Sequence, residues 1–309
     1  MKKILILGGY GFLGQNLSKV FKDSNYEIHL ESRRSGCDIL NYEQFLDVVK
    51  KINPDIIINA AAHVGGVGYV SKISAEVCSD NTLMFINIFK VIKEVNKNIL
   101  LINPLANCSY PGETLEVLEE SQWWNGVVHE SVESYGNTKK IGFILSECYR
   151  KEYGIKTVNL LVPNAYGPFD YTDEERTHAM NGIILRLLKS IKNRDTEFMI
   201  WGSGTPIREW VYMEDVARLI KDIIDNNSIE LPNPINIGQE MGFSIKDSVS
   251  MVQNILHTNF IINYDLTKKE GAPKKVMSSK LFKECFPDFT FTTPEEGIKE
   301  TIRYYENII

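Results

Sequence analysis

No run of apolar residues in this 309-residue chain approaches the length that crosses a bilayer, so a membrane-spanning helix is not expected. The chain also lacks any basic run. With a formal net charge of -6, it offers no footprint for nucleic acid, which is not expected as a partner. Cysteine is scarce: Cys37, Cys78, Cys108, Cys148 and Cys285 are scattered, odd in number and without paired metal spacing. Such a set implies reduced thiols and a cytoplasmic setting. His29, His63, His129, His178 and His257 form no zinc motif, so no metal is expected. Repeats and low-complexity linkers are missing too. Met1-Lys2-Lys3 enters an apolar strand at once, which does not read as a signal peptide.

What the chain does have is a glycine turn near its start. Ile4-Leu5-Ile6-Leu7 reads as a buried parallel strand, and Gly8-Gly9-Tyr10-Gly11-Phe12-Leu13-Gly14 follows it. Leu17, Val20 and Phe21 then recur at helical spacing. Strand, glycine turn and helix are the context that a dinucleotide fingerprint requires. Gly8 permits the tight turn, Gly11 lets the backbone approach a pyrophosphate, and Gly14 allows close helix packing. The pyrophosphate then rests on the helix N-terminus.

Tyr135 and Lys139, in Ser134-Tyr135-Gly136-Asn137-Thr138-Lys139, lie one turn apart on one helix face. A lysine ammonium beside a phenol is expected to lower the phenol's pKa. A tyrosine tuned that way can exchange a proton with a sugar hydroxyl while a nicotinamide carries hydride. A surface tyrosine over a solvated lysine has the same spacing. The glycine turn in the same chain decides for the chemical reading.

With 43% hydrophobic residues the chain has ample material for a core. Strands are expected at Glu27 to Leu30, Asp55 to Asn59, Ile99 to Asn103 and Thr157 to Leu161. Helices are expected around Tyr42 to Lys51, Asn81 to Val95, and through Tyr135. Such alternation implies an α/β fold with a doubly wound parallel sheet of Rossmann type. A smaller C-terminal substrate domain completes it. The division expected is 1–165 for the dinucleotide-binding domain and 166–309 for the substrate-binding α/β domain, with a strand near 234–238 returning to the first. Asp170 to Arg176 reads as a charged loop, Met180 to Lys192 as a helix and Met199 to Trp201 as a short strand. Asn59-Ala60-Ala61, Asn103 to Tyr110 and Pro163 to Pro168 fall at strand ends, where ligands of such sheets bind.

Four segments carry a resemblance. They are Ala60-Ala61-Ala62-His63-Val64-Gly65-Gly66, Cys108-Ser109-Tyr110-Pro111, Asn164-Ala165-Tyr166-Gly167-Pro168, and Trp201-Gly202-Ser203-Gly204-Thr205-Pro206-Ile207-Arg208-Glu209. Together they resemble the extended short-chain dehydrogenase/reductase superfamily of nucleotide-sugar enzymes, nearly end to end. Within it they are most similar to the GDP-L-fucose synthase branch of 3,5-epimerase/4-reductases. The resemblance implies a GDP-linked 4-keto-6-deoxy sugar, or a heptose, as substrate. It also implies a second chemistry, inversion at C3 and C5 through an enolate, with Cys108 and His178 as acid and base. A proton next to a ketone is acid enough for a tuned thiolate or imidazole to remove. A packing cysteine and a solvated loop histidine would look alike singly; the joint match favours function.

One position departs from the pattern. Where the superfamily has a serine or threonine that bridges substrate and tyrosine, this chain has Ala106. Either this branch works differently or the alanine was introduced to slow turnover, and the intact remainder of the site favours the second reading. Asn107 is the neighbour that could partly substitute, whereas Ser109, on an extended segment, should face away.

The cofactor-binding set expected is Gly8, Gly11, Phe12, Leu13, Gly14, Arg33, Arg34, Asp38, Ala60, Ala61 and Lys139. Arg33 and Arg34 favour NADP(H) over NAD(H), while Glu31 argues for NAD(H) if it forms the strand tip. For the substrate, Arg186, Arg208 and Lys275 are expected near the diphosphate, and Asn107, Asn164 and Trp201 around the sugar nucleotide. An equally good reading pairs Arg208 with Asp215 as structure. The Trp123-Trp124 loop has no counterpart in that branch and should lie over the sugar end. A homodimer through the helices at Asn81 to Val95 and Ile141 to Tyr153 is expected. The alternatives are an epimerase or 4,6-dehydratase that recycles bound NAD, and a nucleotide-binding protein without activity. A dehydratase would carry Asp-Glu at Asn107-Cys108, which counts against the first of these.

Overall fold

The computed structural model of the chain describes residues 1–226, 231–268 and 270–309. From the N-terminus the elements are β1 (Lys2–Leu7), α1 (Phe12–Phe21), β2 (Tyr26–Glu31), α2 (Tyr42–Ile52), β3 (Ile56–Asn59), α3 (Val67–Lys72), α4 (Ser74–Val95), β4 (Leu100–Ala106) and α5 (Glu133–Tyr153). Then come β5 (Thr157–Val162), β6 (Asn164–Tyr166), α6 (Ala179–Asn193), β7 (Glu197–Trp201), β8 (Ile207–Tyr212) and α7 (Met213–Asp225). The chain closes with β9 (Ile235–Asn236), β10 (Gly242–Ser244), α8 (Ile245–Leu256), β11 (Ile261–Asp265), β12 (Lys274–Lys275), α9 (Lys280–Cys285) and α10 (Pro294–Glu306).

The alternation of side chains along β1 builds two cores at once. Ile4 and Ile6 face α1 and α7, joining Leu17, Phe21, Val216 and Ile220. Leu5 and Leu7 face the opposite side, joining Phe45, Val49, Ile88, Phe89 and Ile92 of α2 and α4. A strand covered on both faces must be apolar at every position, which is why this run does not alternate with polar residues. The main sheet is six-stranded in the order β2-β1-β3-β4-β5-β9, and every adjacent pair is parallel. That is the doubly wound Rossmann-type sheet. Its last strand comes from far along the chain: Leu160 and Leu161 of β5 pair with Ile235 and Asn236 of β9. Smaller sheets follow, β10-β8-β12 with β6 on β8, and β11 on β7. A third core under α6, α8 and α10 holds them.

Two elements differ from expectation. β4 runs on to Ala106, through Pro104, instead of ending at Asn103. Pro104 lies past the last pairing with β3, at Ile58 and Ile102, so its missing N–H breaks no ladder there. Helix α4 starts at Ser74, not Asn81. Asp80 and Asn81 therefore sit inside it and hold a loop: Asn81 Nδ2 donates to the His63 carbonyl (2.9 Å) and Asp80 binds the His63 ring (2.8 Å). Among the described residues no helix is long and apolar enough to cross a membrane, and all five cysteines are free thiols.

Candidate active site

The glycine turn is shaped by contacts that leave no room for side chains. Gly8 has φ +73°, and a Cβ there would stand 2.7 Å from the Ala60 carbonyl oxygen. A Cβ on Gly14 would stand 2.3 Å from the Gly8 carbonyl oxygen, so α1 presses directly onto the turn. Ala60 and Ala61 are thereby brought against the glycines. Gly11 is the N-cap of α1 and supplies no side-chain cap, so the first N–H groups of Phe12 and Leu13 face outward. That arrangement suits an anion.

At the end of β2, Glu31 is the last strand residue, but its carboxylate accepts from Ser35 Oγ at 2.6 Å. Arg33 and Arg34 follow in a turn capped by Ser32. Both are exposed, and neither forms an ion pair among the described residues. Asp38 spends Oδ1 on the Leu40 N–H (3.1 Å).

Tyr135 and Lys139 stand together in the first turns of α5. The Lys139 Nζ lies 4.9 Å from the Tyr135 ring centroid and 5.4 Å from that of Phe85. The expected lowering of the phenol's pKa is not found. Burial pushes Tyr135 above its ordinary value, with Cys108 adding to the rise, and burial pulls Lys139 down to about 8. The cause is burial, which disfavours the charged phenolate. A Cβ on Gly136 would stand 2.9 Å from the Cys108 carbonyl oxygen. The absence of a side chain there lets the turn Asn107–Ser109 press on α5 and brings Cys108 to the Tyr135 site.

Ala106 ends β4. The segment after it is a helical turn, not the extended run expected, because Ser109 folds its hydroxyl back onto the Ala106 carbonyl (2.5 Å). Ser109 also accepts from Trp123 Nε1 at 2.8 Å and is fully buried. Its hydroxyl therefore does not replace the one missing at Ala106. Asn107 Nδ2 donates to Asn164 Oδ1 at 3.1 Å, joining two of the expected sugar-side residues.

His178, the N-cap of α6, packs its ring 5.2 Å from Phe12. Its backbone N–H donates to Asp170 Oδ2 at 2.8 Å, and its Nδ1 lies 3.0 Å from Asp170 Oδ1. Thr177 Oγ1 and Asn181 Nδ2 donate to the same carboxylate, at 3.1 Å and 3.0 Å. Burial favours neutral forms of both groups, yet their mutual charge and hydrogen bonding win. His178 is raised and Asp170 lowered from their ordinary values. Asp170 lies in the segment expected to be a charged loop, yet it is buried. Its signal was the pattern Asp170, Thr177, His178, Asn181, whose last three members each donate to it.

The nucleotide-side residues fall into separate groups. The Arg186 guanidinium stacks 4.4 Å over the half-exposed Trp201 ring, and its Nη1 donates to the Met199 carbonyl (2.7 Å). An indole face backed in this way offers a planar group a stacking surface. Arg208 does not pair with Asp215, which is taken by Arg218 at 2.5 Å. Arg208 Nη1 donates to the Ile207 carbonyl (2.8 Å), and burial pulls its pKa down to about 10 against the opposing charge of Glu270. Lys275 is drawn instead to the Cys108 side, where its Nζ donates to the carbonyls of Tyr110 (3.0 Å) and Pro111 (2.5 Å). The paired tryptophans split. Trp123 is fully buried against Phe143, while Trp124 is 49% exposed under the Lys140 ammonium.

The pattern that describes the NAD dependent epimerase/dehydratase family matches residues 4–238. Over 306 residues the chain is 28% identical to the GDP-L-fucose synthase of Dictyostelium discoideum, with 98% of this chain and 95% of that one covered. It is 29% identical over 306 residues to the GDP-L-colitose synthase of Yersinia pseudotuberculosis, covering 99% and 98%. The crystal structure of a GDP-L-fucose synthetase from Naegleria fowleri bound to NADP shares the fold. Its TM-score is 0.84 at 23% identity, with 99% of this chain and 94% of that one aligned.

Proposed function

The chain belongs to the NAD dependent epimerase/dehydratase family, and from that premise we propose that it is an NADP-dependent epimerase/reductase. Its substrate is a GDP-linked 4-keto-6-deoxy sugar or heptose, made for polysaccharide in the cytoplasm. The observation that carries this reading is the Tyr135–Lys139 pair set against Cys108 through Gly136. The names of the relatives support the GDP sugar. The cofactor fits the residues present. The uncapped start of α1 would hold the pyrophosphate, and the exposed Arg33 and Arg34 the 2′-phosphate. Bound there, the nicotinamide supplies hydride.

The protein's own part is proton handling and positioning. Tyr135 delivers the proton to the oxygen at C4, and the Lys139 ammonium offsets the charge the phenol keeps. Cys108 and His178 exchange protons at C3 and C5. Asp170 holds the His178 Nδ1 side, which leaves Nε2 to work. Without a hydroxyl at Ala106, Tyr135 binds the carbonyl oxygen unaided. Arg208 and the Arg186–Trp201 stack hold the nucleotide, between the units 1–165 and 166–309. Leu83 of α4 and Ile144 of α5, both exposed, favour a homodimer through these packed helices.

Mixing the protein with GDP-4-keto-6-deoxymannose and NADPH, and following absorbance of the reduced cofactor, tests the reading. Oxidation of NADPH in preference to NADH is expected. No oxidation with either cofactor and any 4-keto GDP sugar would overturn it. Deuterium entering C3 and C5 in deuterated buffer without NADPH tests the epimerase half. Its absence would leave a plain 4-ketoreductase.

A further inference from the structure

Lys275 is a buried cation of this site that the mechanism leaves without a task. Register on β12 and β8 sets it beside Arg208, yet its surroundings do not resemble a diphosphate clamp. The residue is only 4% exposed. Two of its donors are spent on the Tyr110 and Pro111 carbonyls, on the strand of chain that leaves the Cys108 turn. No carboxylate lies within ion-pair distance of it among the described residues. A buried ammonium without a counter-charge is costly, so an anion is expected close by in the working state. The half-buried thiol two residues before Tyr110 supplies one when it ionises.

We propose that Lys275 is the positioning residue of Cys108: its ammonium, clamped on the Tyr110 and Pro111 carbonyls, stabilises the thiolate that exchanges protons with the sugar. The proposal rests on the reading of Cys108 as a proton-transfer group. Electrostatics agree with the geometry. Burial raises Cys108 to about 11, and Lys275 is the leading charge opposing that rise, ahead of Lys139. Burial lowers Lys275 to about 8, with Cys108 the leading charge that restores it. The other charges felt by Lys275 are Arg208 and Lys140, which lower it further, and Glu113, which raises it.

Alkylation of Cys108 by iodoacetamide in the full chain, without sugar, tests this across the neutral to alkaline range, read by peptide mass spectrometry. Cys148, exposed on α5, is the internal reference. Lys275→Met is expected to slow Cys108 alkylation at neutral pH by about tenfold, the loss of thiolate for a rise of one pKa unit. It should also move the profile to higher pH and leave Cys148 unchanged. Lys275→Arg should restore most of the rate, because it keeps the charge and the donors to both carbonyls. Lys275→Gln keeps a donor without the charge and should behave like the Met variant. A Cys108 profile unmoved in the Met and Gln variants overturns the proposal. So does a rate restored by Gln, which would make Lys275 a structural clamp only. If the Met variant does not fold, the comparison of Gln with Arg decides. The assay contains no sugar, so its failure leaves the reduction reading standing, and loss of turnover with NADPH leaves this one standing.

Discussion

Replacing Asp170 with asparagine isolates one charge at a buried crossing of hydrogen bonds. The carboxylate has no exposed side-chain surface, and four donors converge on it from His178, Thr177 and Asn181. An amide can place its oxygen toward the three donors at Oδ2, but its NH2 then meets His178 Nδ1. Either a buried donor goes unmatched, at about 1–3 kcal/mol, or His178 moves its proton to Nε2. The sign of the pH dependence follows from the two shifts. His178 is raised above its ordinary 6.5, so its share of the stability is full below that value and fades as pH climbs through the raised one. Asp170 is lowered below its ordinary 3.8, so its share is full above that value and fades as pH falls through the lowered one. Urea unfolding of both proteins across pH should therefore show the largest gap between about pH 4 and 6.5, narrowing on the alkaline side. Isotope exchange at the carbon served by His178 should slow by about 10²-fold or more, with GDP-sugar affinity little changed. A gap that stays flat with pH would refute the ion-pair account, and full exchange in the variant would refute the positioning of His178.

Tyr135→Phe should abolish NADPH oxidation while NADPH affinity by fluorescence titration stays near native; retained turnover sinks the proton-donor role. Ala106→Ser should speed reduction by about 10²–10³, equivalent to roughly 2.7–4 kcal/mol by analogy with oxyanion donors. An unchanged or lower rate would make alanine native to this chemistry. Replacing Arg33 and Arg34 together by serine should raise the KM for NADPH far more than that for NADH, and equal effects on both cofactors would dismiss them as 2′-phosphate ligands.

Features set by short-range spacing were legible from the chain alone. The glycine turn depends on three small residues within one loop, and Tyr135 with Lys139 depends on one helical turn. Strands β1 and β3 announced themselves as apolar runs because both faces are covered. Asp170 escaped because burial of a loop acid is decided by distant packing. Phe169 meets Tyr304 edge to face at 5.1 Å, and Tyr305 of α10 lies close enough to feel the Asp170 charge. The fates of Trp123 and Trp124 diverged for the same kind of reason, since only Trp123 finds a polar partner inside, Ser109. The expected pull of Lys139 on the phenol gave way to burial, which spacing does not encode.

The strand that returns to the main sheet also orders events during synthesis. Leu160 and Leu161 present a bare strand edge until Ile235 and Asn236 arrive. Asn236 does more than pair. It accepts from Tyr110 Oη (2.7 Å), donates to the Leu118 carbonyl (2.9 Å) and gives its N–H to Glu120 (2.8 Å). The loop after the Cys108 turn thus has no fixed seat on a nascent chain that stops short of residue 236. A ribosome must deliver most of the protein before the first half can close. A fragment ending near residue 165 would carry its own unpaired edge into solution and invite association with its neighbours.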